Sequence, residues 1–194
     1  MGDMLKLSDS FDVLKNLSLS KYLIINKKSD LSMMDFPYYM KIDSAEHKLK
    51  MGGVYLCDNL IDAKVKYDEW IKKFNGVGIV IQEKVDGIEL IVGVKTDVVF
   101  GRVLVVGFGG SGVEEGGDVV FRALRLKRDD VKAMLKELKG YKKIEAKMRG
   151  KVITFIEKVA FLIDYYDISE MDLNPVILDN KLGPVIVDAR ILIS

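Results

Sequence analysis

Asn174 and Asp188 stand fourteen residues apart, and the residues between them read as a strand, a turn over Asp179 to Gly183 and a second strand. A hairpin of that length brings the chain back beside itself, so an amide oxygen and a carboxylate would share one space. Both are hard oxygen donors, the kind from which Mg2+ takes one or two protein ligands while keeping water and nucleotide phosphate for the rest. Asp172, two residues before Asn174, alternates to the same face. The plainer reading is structural: Asn174 shapes the turn before Pro175 and Asp188 caps a strand end.

Three other stretches could do chemistry. "GFGGSGVEEGGD", Gly107 to Asp118, carries six glycines in twelve residues, and a loop of that kind can bring backbone N–H groups against phosphate oxygens. It is neither a Walker A sequence nor a dinucleotide fingerprint, and a flexible hairpin loop is the simpler reading. In "IQEKVDGIEL", Glu83 and Glu89 could bond an adenine amino group and ribose hydroxyls, with the backbone around Lys84 and Val85 offering the donor and acceptor of an adenine edge. Read alone, it is a solvated hairpin. His47 is the only histidine; in "HKLKMGG" it sits in an expected exposed loop beside Lys48 and Lys50, where an imidazole could attack phosphorus and the lysines would favour its neutral form. A lone histidine is otherwise a surface residue.

Composition limits the rest. Of 194 residues 49% are hydrophobic, which excludes wholesale disorder and suits one domain or two small lobes. Thirty basic residues are interspersed with 29 acidic ones, so no electrostatic footprint argues for nucleic acid or an anionic membrane. One cysteine, Cys57, rules out an internal disulfide and a cysteine cage. With no long apolar run and no signal peptide, the expected compartment is the cytoplasm, with no membrane partner.

The elements that must position these residues follow from periodicity. Ser8 would cap a helix carrying Phe11, Leu14 and Leu17; "FPYYMKI" reads as a mostly buried strand in which Lys41 is a charge that needs a partner. Asp58 to Phe74 is a helix with Leu60, Ala63, Tyr67, Trp70 and Phe74 on one stripe. Four strands then form an antiparallel set, two helices follow over Arg128 to Leu138 and Lys151 to Tyr165, and the closing hairpin ends the chain. The expected division is a front lobe over 1–81 and a back lobe over 82–194.

Taken in order, "FPYYMKI", "HKLKMGGV", "IVIQEKVDGIELIVGVKTDVVFGRVLVVGFGG", "VEEGGDVVFR", "MRG" and "MDLNPVIL…GPVIVDARI" resemble the ATP-grasp β subunit of ADP-forming acetyl-CoA synthetase and the matching part of larger NDP-forming acyl-CoA synthetases. The resemblance implies an α+β ATP-grasp fold, two α/β lobes with a largely antiparallel sheet in the C-terminal one. It implies that Lys41 reaches the nucleotide phosphates, that Glu83 with the Lys84 and Val85 backbone holds adenine, that Glu89 holds ribose, and that Gly109 and Gly110 lie near the phosphates. Asn174 and Asp188 would bind Mg2+, with Asp172 near the reacting phosphoryl group. His47 would relay the phosphoryl group between ATP or ADP here and a CoA-binding α subunit, interconverting acyl-CoA, ADP and phosphate with acid, CoA and ATP. Two other readings are a nucleotide-binding relative without phosphoryl transfer, and a self-contained ligase that activates a carboxylate directly.

Overall fold

The continuous apolar run "GIVI" has no strand alternation, because the strand that carries it is buried on both faces. The computed structural model describes residues 2–46, 48–110 and 117–194. In chain order these form β1 (Asp3–Met4), α1 (Leu7–Val13), β2 (Tyr22–Ile25), β3 (Tyr38–Asp43), β4 (Val54–Cys57), α2 (Leu60–Lys73), β5 (Gly78–Glu83) and β6 (Ile88–Asp97). They continue with β7 (Gly101–Phe108), β8 (Val119–Ala123), α3 (Arg128–Glu137), α4 (Ala146–Tyr165), β9 (Ile168–Asp179), β10 (Gly183–Ile186) and β11 (Arg190–Ile193).

The strands make two sheets. The larger has seven strands in the order β1-β11-β9-β6-β7-β8, with β10 also on β9; the smaller runs β2-β5-β3-β4. Every pairing within them is antiparallel, the α+β arrangement expected. Against the division expected at residue 81, sheet membership puts β1 with the larger sheet and carries β5 to Glu83 in the smaller one.

Each sheet has its own core. Val92, Val94, Leu104 and Leu173 pack with Val131 and Met134 of α3 and with Val152, Ile156 and Val159 of α4. Met40, Ile42, Ile79 and Ile81 of the smaller sheet pack with Ala63 and Trp70 of α2. Val80, between Ile79 and Ile81, faces the other way into the larger core, so β5 joins the two. Each such fully buried aliphatic side chain contributes about 1.5–3 kcal/mol. Among the described residues no helix is long and apolar enough to cross a membrane.

Helix boundaries differ from expectation in instructive ways. Asn59, not Asp58, caps α2, its side chain accepting from Asp62 N–H at 3.0 Å. Helix α4 begins at Ala146, more than a turn before Lys151. Ser8 does not cap α1: the N-cap is Lys6, and Ser8 lies within the first turn. The N–H groups of a first turn need outside partners, and here Asp43 at the end of β3 supplies one. Its carboxylate accepts from Ser8 N–H and Ser8 Oγ–H, each at 2.8 Å, with Lys6 Nζ at 3.3 Å. A cap delivered from 35 residues away ties α1 to the smaller sheet.

Replacing Asp43 by alanine strands two buried donors, and the expected loss of unfolding free energy in urea is about 2–3 kcal/mol. Asp43→Asn, which retains one acceptor, should lose less; equal stability of Asp43→Ala and wild type would show that this tie carries no weight.

Candidate functional site

The register of the closing hairpin sets the geometry. Ile186 lies opposite Val176, and continuing that pairing by two residues sets Asp188 opposite Asn174, as the sequence spacing suggested. Val187 N–H still reaches Pro175 O at 3.4 Å before the chain turns away from β9. On the other side of β9 the pairing with β6 shifts between Leu90 and Val92, so that Asn174 and Pro175 together face Ile91. Such a bulge re-aims side chains. Asn174 and Asp188 line a cleft of about 190 Å3 between the two sheets, whereas Asp172 lines a neighbouring cavity with Lys95 and Arg190. Arg190, for which the sequence reading had no role, is the register partner of Asp172 on β11.

The smaller sheet supplies the facing wall. Tyr39 and Lys41 of β3 line the cleft together with Val54 of β4. Lys41 is 5% exposed, and its ammonium donates to the Val187 carbonyl, the partner that the sequence left unnamed. Burial pushes its pKa down to about 8; the Asp188 charge opposes that shift and the Lys48 charge adds to it.

The expected exposed loop holds at Glu46, Leu49 and Lys50, and Lys48 is the exception. It is 6% exposed and pairs with Asp188 Oδ1 at 3.0 Å. A tight turn makes this possible: Gly53 N–H donates to Lys48 O at 2.7 Å, and Gly52 adopts φ +68°, a left-handed conformation that favours glycine. A Cβ on Gly53 would lie 2.5 Å from Ile42 Cδ1, so the turn also sits hard against β3. Nothing in the run "HKLKMGG" marks which lysine turns inward. His47 itself lies outside the described residues, as do 111–116 of the glycine-rich stretch.

The expected base and ribose residues fall at the other end of the cleft. Glu83, Val85 and Glu89 line it, while the Lys84 side chain turns away to pair with Asp86 at 2.8 Å. Gly109 N–H donates to Glu89 O at 2.8 Å, and a Cβ on Gly109 would lie 3.2 Å from Glu89 Cβ. Gly110, at φ +101°, follows. These glycines therefore adjoin the Glu89 side of the cleft.

Among the described residues no group of three or more His, Cys, Asp or Glu side chains is placed to hold a metal by itself. Asn174 and Asp188 nevertheless fit Mg2+ as a partial ligand set completed by phosphate and water, and the ammonium drawn to Asp188 shows that this carboxylate accepts a cation.

Comparison with known proteins gives the family and the fold. The ATP-grasp domain family matches residues 27–193. An ADP-forming acetate–CoA ligase II of Archaeoglobus fulgidus is 37% identical over 175 residues, covering 82% of this chain and 25% of the relative. The β subunit of the ADP-forming acetate–CoA ligase I of Pyrococcus furiosus is 30% identical over 184 residues, covering 81% of this chain and 75% of the relative. A structure of the acetyl-coenzyme A synthetase 1 of Ca. Korarchaeum cryptofilum superposes with TM-score 0.77 at 28% identity, over 98% of this chain and 93% of that one. It holds coenzyme A and Mg-AMPPCP, with its phosphohistidine segment pointing towards the nucleotide-binding site. The chain thus spans a quarter of the Archaeoglobus relative's length.

The buried ammonium generates a pH prediction for the ligand-free chain. Because the folded pKa of about 8 lies below the ordinary 10.5, the cost of burying the charge is fully present below pH 8 and is relieved as pH rises from 8 to 10.5. Lys41→Met should melt above wild type at pH 7, by a stability difference on the order of 3 kcal/mol, and the gap should narrow through that window. A gap independent of pH would show that the ammonium is not buried as described.

Proposed function

The chain belongs to the ATP-grasp domain family, in the branch that contains the ADP-forming acetate–CoA ligases, and we propose that it is the nucleotide-binding, phosphoryl-transferring β component of an ADP-forming acyl-CoA synthetase. The observation that carries this reading is that one cleft gathers Lys41, Glu83, Val85, Glu89, Asn174 and Asp188, residues drawn from β3, β5, β6 and β9 and from the segments that follow β5 and β10. Its partner is a CoA-binding α subunit, and its substrates are an acyl-CoA or free acid with ADP or ATP.

In this reading Val85 backbone and Glu83 hold the adenine edge, Glu89 holds ribose hydroxyls, and Gly109 and Gly110, beside Glu89, lie in the glycine-rich stretch on the ribose side. Lys41 places its ammonium against the phosphate oxygens, exchanging a single carbonyl partner for a charged one. Asn174 and Asp188 hold Mg2+, which supplies charge neutralisation on the phosphate oxygens. Asp172, with Arg190 opposite it, lines the neighbouring cavity rather than this cleft, so this reading gives it no contact with the phosphates. The covalent step belongs to His47: an unprotonated imidazole nitrogen forms an N–P bond while the bond from the γ-phosphorus to the ADP oxygen breaks, and the other ring nitrogen keeps its proton. In the reverse sense phosphorylated His47 delivers the group to the terminal oxygen of ADP. Rate enhancement rests on positioning and charge neutralisation, as in phosphoryl transfer generally.

Incubating the chain with γ-labelled ATP and Mg2+ should give protein-bound label that survives alkali, is lost in acid and is absent from His47→Asn. Full labelling of His47→Asn would sink the relay. Protection by Mg·ATP in a thermal shift should be present in wild type and lost in Asp188→Ala; protection without any labelling would instead favour a nucleotide-binding relative that has lost the transfer step.

A further inference from the structure

One cation of the cleft has no part in the reaction just described. Lys48 extends a buried side chain to Asp188, and the Oδ1 it contacts at 3.0 Å also accepts from Ala189 N–H at 3.0 Å. Asp188 is the carboxylate assigned to the divalent cation, so Lys48 holds, in the cation-free state, an oxygen that the cation would claim. The two positive groups cannot share it at contact distance without mutual repulsion.

Lys48 is also the first residue of a closed turn. Its carbonyl accepts from Gly53 N–H, Leu49 O accepts from Gly52 N–H at 3.0 Å, and Ile42 N–H donates to Gly53 O at 2.9 Å, so the turn is bonded to β3. Leu49, although 78% exposed, lines the cleft. In sequence Lys48 follows His47 directly.

We propose that Lys48 is a positioning residue whose ammonium occupies Asp188 until a divalent cation arrives, and that this exchange couples metal loading to release of the 48–53 turn from the cleft. With the cation absent, the turn is pinned beside the phosphate end of the cleft by one ion pair. With the cation bound, Asp188 is spent and the turn keeps its bonds to β3 and the one from Lys73 of α2, whose ammonium donates to Met51 O at 3.0 Å. This inference rests on the assignment of Asp188 as a metal ligand.

The test is a Mn2+ titration, with a non-hydrolysable ATP analogue present throughout, of wild type, Lys48→Met and Asp188→Asn, together with hydrogen exchange of the amides in 49–53. Lys48→Met, which keeps the stem and removes the competitor, should bind Mn2+ about tenfold tighter. In wild type Mn2+ should speed exchange at Gly52 and Gly53; in Asp188→Asn exchange should be fast already and indifferent to Mn2+. A general loss of positive charge would tighten Mn2+ binding but would leave wild-type exchange unmoved, so unchanged exchange on saturation overturns the proposal. That arm needs no substitution and survives a variant that fails to fold. If Asp188→Asn weakens Mn2+ binding while Lys48→Met does not strengthen it, only the coupling fails; if Asp188→Asn binds as wild type does, the metal assignment and the coupling fall together.

Discussion

Burying a primary ammonium between two sheets is the constraint to which the rest of this structure answers. Lys41 loses nearly all its water and regains one backbone carbonyl, that of Val187, with the Asp188 carboxylate near enough to favour its charge. A single neutral acceptor does not replace the hydration of an ammonium, which is why its pKa stays depressed. The fold maintains that cost at the seam. Strand β3 must be central in its sheet to bury Lys41, and the chain after β10 must leave β9 at Val187 to present a carbonyl rather than spend it in a ladder. A site arranged this way is poor for the empty chain and good for a polyanion, the electrostatic form of preorganisation.

Holding the seam at that separation falls to a few residues on its closed side. Strand β5 sends Ile79 and Ile81 into one core and Val80 into the other, so neither core can move without the strand. Asp43, at the end of β3, grips α1, whose Leu7 and Phe11 belong to the larger core. The open side has no comparable apolar bridge within the described cleft; it is crossed by polar contacts, Lys41 to Val187 and Lys48 to Asp188. Apolar packing is hard to exchange and ion pairs are easily exchanged for other ions, so the two sides of the seam differ in kind: one fixes geometry and the other can respond to a ligand.

What could be read in the sequence divides along the same line. Local periodicity sufficed to find the strands, α2 and α3, and the spacing that sets Asn174 opposite Asp188, because each depends on residues near one another in the chain; it did not place β5, expected in one antiparallel set with the three strands after it, which instead pairs β2 and β3 in the smaller sheet. It did not suffice for Ser8, whose partner lies 35 residues away, or for Lys48, whose inward turn depends on Gly53 packing against Ile42 and on a carboxylate 140 positions later. The bulge opposite Ile91 was equally hidden, since alternation alone puts Asp172 and Asn174 on one face and gives no hint that they line separate cavities. Resemblance of ordered motifs suggested roles for residues to which spacing gave none.

The register of β3 against β5 then gives the cleft its scale. Lys41 pairs with Val80, and Glu83 lies three residues further along the same strand, opposite Tyr38. At about 3.3 Å per residue those two backbone positions stand about 10 Å apart along the sheet, and Lys41, Glu83, Val85 and Glu89 all line the cleft. A one-residue slip of β3 would turn Lys41 into the core of α2 and Met40 into the cleft, and the same pairing that makes the sheet therefore decides that the cleft, rather than the core, receives the ammonium.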